Sequence, residues 1–180
     1  MRADAARNVD AVLQTGARLL AEDPTTSIAA IAAAAGVDRR TVYRRFASRE
    51  ALIAAVFDAK IAEIDEVIGG CRLFEAPVAV ALHRLVEGAV AARRRYPLEL
   101  EQVGSPRDVE ARVLAQRERV EAFVRRGVEE GVFRSDLPDG LAGALLDGIT
   151  GLMAGQFRDL DCGRAADIVV DITLNGIGTG

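Results

Sequence analysis

Four arginines, a threonine and a tyrosine fall within seven consecutive residues, Arg39 to Arg45. A guanidinium is a planar fork of N–H donors. It matches a phosphate, or the O6 and N7 acceptors of guanine, with two bonds at once. Threonine and tyrosine hydroxyls suit phosphate oxygens. The chemistry on offer is recognition of a polyanion with readable edges, not the making of bonds. If the segment is helical, Val37, Val42 and Phe46 turn inward. Arg39, Arg40, Thr41, Tyr43, Arg44 and Arg45 then remain outside. An arbitrary arginine-rich helix is usually a solvated surface, so the neighbouring elements must decide between the two readings.

Elsewhere reactive groups are sparse. There is one histidine, His83, with Arg84 beside it and Glu87 one helical turn on. This pair suits either a ligand's polar group or a surface ion pair. A single histidine excludes a histidine-rich metal site, and neither a Gly-x-Ser-x-Gly nucleophile motif nor a glycine-rich phosphate loop is present. No catalytic residue, metal or cofactor is expected. Cys71 and Cys162 form no Cys-x-x-Cys and read as idle thiols in a reducing compartment. Phe123, Met153 and Phe157 are candidates to line an apolar ligand cavity, although core packing is the commoner use of such residues. Arg93-Arg94-Arg95 closes a helix and reads as a solvated patch that compensates the helix dipole.

The elements that must position these groups are all helical. Of 180 residues, 50% are hydrophobic and 28% charged, but only 4% are aromatic, so the core must be mainly aliphatic. Val9, Val12, Leu13, Gly16, Ala17 and Leu20 follow helical spacing, which predicts a helix over 4–22 ended by Asp23-Pro24. Thr26 or Ser27 can cap a second helix that stops at Gly36, and a third covers 38–45. Ser48 caps a fourth, running to about residue 68 before Gly69-Gly70. Further helices are predicted over 75–95, 97–103, 106–130, 138–157 and 164–177. The last contains Ile168-Val169-Val170, which has strand propensity, but no other segment offers it a partner strand. The expected fold is all-α, with about nine helices. It comprises an N-terminal three-helix helix-turn-helix domain over 1–50 and a helical ligand-binding and dimerisation domain over 51–180.

Two short helices joined by Ala35-Gly36-Val37 are a helix-turn-helix, whose second helix enters the major groove of DNA. Net charge is −4 overall, yet residues 1–50 carry +2. The segment resembles the DNA-binding domain of the TetR family of bacterial transcriptional regulators. The resemblance rests on Ala35-Gly36-Val37, Thr41-Val42-Tyr43, Phe46 and Arg49-Glu50-Ala51-Leu52, and covers about 50 of the 180 residues. It implies that Thr41, Tyr43 and Arg49 contact the DNA backbone. It also implies that Ser27 caps the second helix near a phosphate, and that Arg39, Arg40, Arg44 and Arg45 read bases or backbone. The second helix presents Ala29 and Ala30 where some relatives carry a long polar reader, so specificity falls to the third helix, with Arg2 and Arg7 as a possible arm.

The same resemblance implies a second domain that binds a small molecule and dimerises through its last two helices. Ala144, Gly148, Gly151 and Gly155 form a small-residue line along which another helix could approach. Leu141, Leu145, Ile149 and Leu152 lie beside it, and Ile168 and Ile172 occupy the final helix. The function implied is a homodimeric, ligand-responsive repressor on a palindromic double-stranded DNA operator, with an unknown small-molecule effector. The N-terminus lacks a signal peptide and no segment suits a membrane, so a cytoplasmic protein is expected. The alternative is an all-α small-molecule-binding or protein-interaction module that does not bind DNA. Salt-dependent binding to duplex DNA separates the two.

Overall fold

The computed structural model describes residues 2–99 and 107–176. Among them are eight helices: α1 (Arg2–Glu22), α2 (Ile28–Ala34), α3 (Arg39–Arg45), α4 (Arg49–Gly70), α5 (Val78–Arg95), α6 (Arg107–Glu129), α7 (Leu141–Gln156) and α8 (Cys162–Gly176). No extended strand occurs among the described residues, and Ile168-Val169-Val170 is helical as the periodicity required. Of the expected short helix over 97–103, residues 97–99 are not helical and the remainder lies outside the described residues.

The chain forms two compact units. One comprises Met1–Ala62 with Arg95–Glu110, the other Glu63–Arg94 with Ala111–Gly180. In the first, the apolar stripe of α1 is buried as its spacing demands: Val12, Leu13, Ala17 and Leu20. Gly16 lies among them. A Cβ there would stand 3.6 Å from side-chain carbons of both Ile31 and Val56, so this glycine marks where α2 and α4 press on α1. α4 adds Leu52, Ile53, Val56, Phe57 and Ile61, carrying this core well past residue 50. Each such aliphatic side chain, fully buried, is worth about 1.5–3 kcal/mol. Lys60 is also buried. Its Nζ donates to the Leu98 carbonyl at 2.8 Å and to Glu99 Oε1 at 3.0 Å, which anchors the stretch after α5 to α4.

The second unit has one continuous core from α4's last turns, α5, α6, α7 and α8. Phe123 sits edge-on to Phe133, with ring centroids 6.4 Å apart. The Phe133 ring lies against the backbone of Gly127, where any side chain would collide with it. Gly131, at φ +70°, lets the chain reverse out of α6 so that Phe133 can fold back.

Candidate nucleic-acid interface

The helix-turn-helix is assembled by local capping. Ser27 Oγ accepts from Ala30 N at 3.2 Å and opens α2. Gly36, at φ +67°, turns the chain out of α2 in a conformation that other residues rarely adopt. Asp38 then caps α3, its carboxylate accepting from Thr41 N at 3.2 Å. Val42 and Phe46 are buried and Val37 is half-buried, so α3 packs by the side foreseen.

What α3 leaves outside is the basic set. Arg39, Arg40, Tyr43, Arg44 and Arg45 are exposed and Thr41 is half-buried. They are not equivalent. The Arg39 guanidinium lies over the Tyr43 ring, 5.2 Å from its centroid, and that of Arg45 lies 5.8 Å from the centroid of Phe46. Arg40 and Arg44 have no hydrogen bond, ion pair or ring contact among the described residues. On α2, Ala30 is exposed and Ala29 half-buried, and neither carries a polar group.

Arg49 opens α4 and is half-buried. Its guanidinium donates to the Pro24 carbonyl, tying the start of α4 to the loop between α1 and α2. That loop is set by Asp23, whose carboxylate accepts from Thr25 Oγ1 at 2.7 Å and Thr25 N at 2.8 Å. The Thr25 hydrogen bonds, and secondarily the Arg49 charge, hold the Asp23 carboxyl below its usual range. Glu50 is lowered as well, by its own backbone N–H and the Ser48 hydroxyl, then by Arg49. The Pro24 contact is not legible in the sequence, because a backbone carbonyl 25 residues away leaves no trace in residue type.

Residues 12–56 match the profile of the bacterial regulatory proteins of the tetR family. Over 122 residues the chain is 28% identical to the HTH-type transcriptional regulator NfxB of Pseudomonas aeruginosa, covering 66% of this chain and 65%, just under two thirds, of that regulator. The ketosteroid transcriptional regulator KstR2 of Mycobacterium tuberculosis shares the fold with a TM-score of 0.78. Its identity is 22%, covering 94% of each chain. LfrR of Mycobacterium smegmatis, in complex with proflavine, gives a TM-score of 0.72 at 22% identity, covering 95% of this chain and 97% of LfrR. Residues 12–56 therefore match the TetR family, and the chain as a whole shares the fold of TetR-like regulators such as LfrR.

The remaining candidates lie in the second unit. His83, half-buried on α5, stands between two carboxylates: Nε2 is 3.1 Å from Asp167 on α8 and Nδ1 is 3.9 Å from Glu87. Arg164 lies 3.8 Å from the same Asp167. Phe123 and Met153 belong to the core, while Phe157 is 46% exposed just beyond α7. The structure therefore sets His83 and Glu87 in a surface ion cluster and Phe123 and Met153 in the packed interior.

The arginine run at the end of α5 differs from expectation. Arg93 pairs with Asp147 of α7, and Arg94 donates to the carbonyls of Leu160 at 2.7 Å and Phe157 at 3.0 Å. These two are anchors rather than a solvated patch. Gly151 serves Arg93, since a Cβ there would stand 2.8 Å from its Nη1. Gly148 and Gly155 face open space. Leu141, Ala144, Leu145 and Leu152 are exposed with them on α7, as is Ile172 on α8. Ile149 and Ile168 are half-buried.

Proposed function

We propose that this protein is a DNA-binding transcriptional regulator, a ligand-responsive repressor that grips a palindromic operator as a homodimer. The observation that carries the reading is the outward face of α3. Four arginines and a tyrosine stand exposed on a capped seven-residue helix that follows a glycine turn. In such a frame the second helix enters the major groove, and a dimer places two of them one helical turn of DNA apart. Residues 1–50 supply the DNA-binding part and residues 51–180 the ligand-binding and dimerisation part. Ser27, Thr41, Tyr43 and Arg49 act on the DNA backbone, and the α3 arginines act on bases and phosphates.

Dimerisation is assigned to the uncovered apolar face of α7 and α8, where one patch can serve both subunits. Effector binding is assigned to the second unit, through Phe123, Met153 and Phe157 with His83 or Glu87 as polar contacts. LfrR, which shares the fold, was determined with proflavine bound, and this supports a small-molecule role. The protein acts without catalysis, metal or cofactor, in the cytoplasm where an operator would be. No helix among the described residues is long and apolar enough to cross a membrane.

The test is a titration of duplex DNA at two salt concentrations. Affinity should fall steeply with salt, as released counterions require. Arg49→Ala should weaken matched and scrambled duplexes alike and reduce the salt slope by roughly 1 for each phosphate no longer neutralised. Weak binding that ignores salt would leave the alternative of a ligand or protein-interaction module.

A further inference from the structure

We infer that Arg40 and Arg44 form a paired reader of two G·C base pairs separated by one intervening pair in each operator half-site. This rests on the DNA-binding reading above and adds what that surface recognises.

Successive helical residues turn by about 100° and rise about 1.5 Å. Val42 is the core-facing residue of α3. Relative to it, Arg40 and Arg44 each stand about 160° away and only about 40° from one another, at the crest of the outward face. Arg39 and Tyr43 fall on one flank, and Thr41 and Arg45 on the other. The ring contacts follow the same division. Arg39 is laid over Tyr43 and Arg45 over Phe46, so both flanking guanidinium groups are held to the helix body. The two crest arginines are exposed and have no such contact among the described residues.

Like charges one turn apart disfavour a helix, and Arg40 also stands in the first turn, where the dipole disfavours a cation. Neither residue is used by the fold to offset this. Their forks are free to meet acceptors ahead of the helix, and the commonest specific acceptors for arginine in the major groove are guanine O6 and N7. Four residues separate the two forks by about 6 Å along the axis. Bases along a strand are spaced about 3.4 Å, so about two steps part the two guanines. The flanking Tyr43, Thr41, Arg39 and Arg45 then meet the groove walls, where contacts orient the helix without reading sequence.

The experiment begins with selection of bound duplexes from a random pool by the full-length protein. The expected motif carries, in each half, two G·C pairs with one pair between. Arg44→Ala should lose preference at one of these pairs and Arg40→Ala at the other. Each should lose about 5- to 150-fold per half-site on the matched duplex and little on a scrambled one. A second arm uses 7-deazaguanine, which lacks the N7 acceptor. Replacing the guanine assigned to Arg44 should weaken the unaltered protein but leave the Arg44→Ala variant unchanged. Equal losses on matched and scrambled duplexes, or a selected motif without the spaced pair, would overturn the assignment while leaving DNA binding in place. Failure to enrich any sequence, with no salt-sensitive binding to any duplex, would remove both.

Discussion

Arg94 sends its guanidinium to the end of α7, where the last carbonyls of a helix lack the i+4 amide partners of its interior, and where Phe157 O accepts only from Leu160 N of the backbone, at 3.2 Å. It donates to Phe157 O at 3.0 Å and Leu160 O at 2.7 Å, and approaches Met153 O at 3.4 Å and Cys162 Sγ at 3.6 Å. A cation at a helix C-terminus is favourable, and hydrogen bonds to a charged group are worth about 1.5–3 kcal/mol each. Arg94→Ala should therefore cost roughly 3 kcal/mol. Arg94→Lys should recover only part, because an ammonium does not span several carbonyls as a fork does. Urea unfolding is the measurement: a lower midpoint at unchanged slope is expected. Arg94→Ala unfolding with wild-type midpoint would refute the role. Nothing in residues 93–95 foretold this. The acceptors are backbone carbonyls some sixty positions away, and composition does not encode them. Arg40, Thr41 and Tyr43 could be placed because their frame is local: a glycine turn at Gly36 and two inward hydrophobes, Val42 and Phe46, within eleven residues. The surroundings of His83 were half-legible, with Glu87 one turn away but Asp167 on another helix.

At the scale of elements, helix positions could be read from periodicity because each helix buries one stripe and ends at a Gly, Pro or capping residue. α7 is the instructive case. Ala142, Gly143, Leu146, Thr150, Met153 and Ala154 are buried, yet Leu141, Ala144, Leu145, Gly148, Leu152 and Gly155 on the other side are also apolar or small. Asp147 and Gln156 apart, α7 is apolar or small all round, and such a helix is normally buried all round, so its outer face lacks a covering among the described residues. Its sequence showed both stripes but not which one faced its own chain. The glycine line proves mixed: Gly151 makes room for Arg93, while Gly148 and Gly155 open outward. On the proposed two-fold interface, Gly148→Arg adds a long cation to that face, and its Cβ meets nothing within 4 Å in its own subunit. The variant should keep its helical circular dichroism, sediment as a monomer and bind operator DNA poorly. Sedimentation as a dimer would place the interface elsewhere.

For the whole molecule, the proposed regulation is a coupling between two binding events, and its size is measurable from either end. The second unit's core is aliphatic with the Phe123–Phe133 pair, and its charged groups such as His83, Glu87 and Asp167 lie at the margin. An effector entering that interior should be largely apolar with one or two polar contacts. At 100 times its dissociation constant it would stabilise the folded protein by about 2.7 kcal/mol. For a chain of this length that raises the melting temperature by roughly 5–10 °C. A ligand moves the DNA equilibrium only as far as its affinities for the two states differ. Whatever factor it takes from operator affinity, operator DNA must take from effector affinity. Thermal-shift screening followed by the two reciprocal titrations tests this directly. Hits confined to highly charged metabolites would contradict the apolar interior as the binding place. A hit that stabilises the protein but leaves operator affinity unchanged would be a ligand without being an effector.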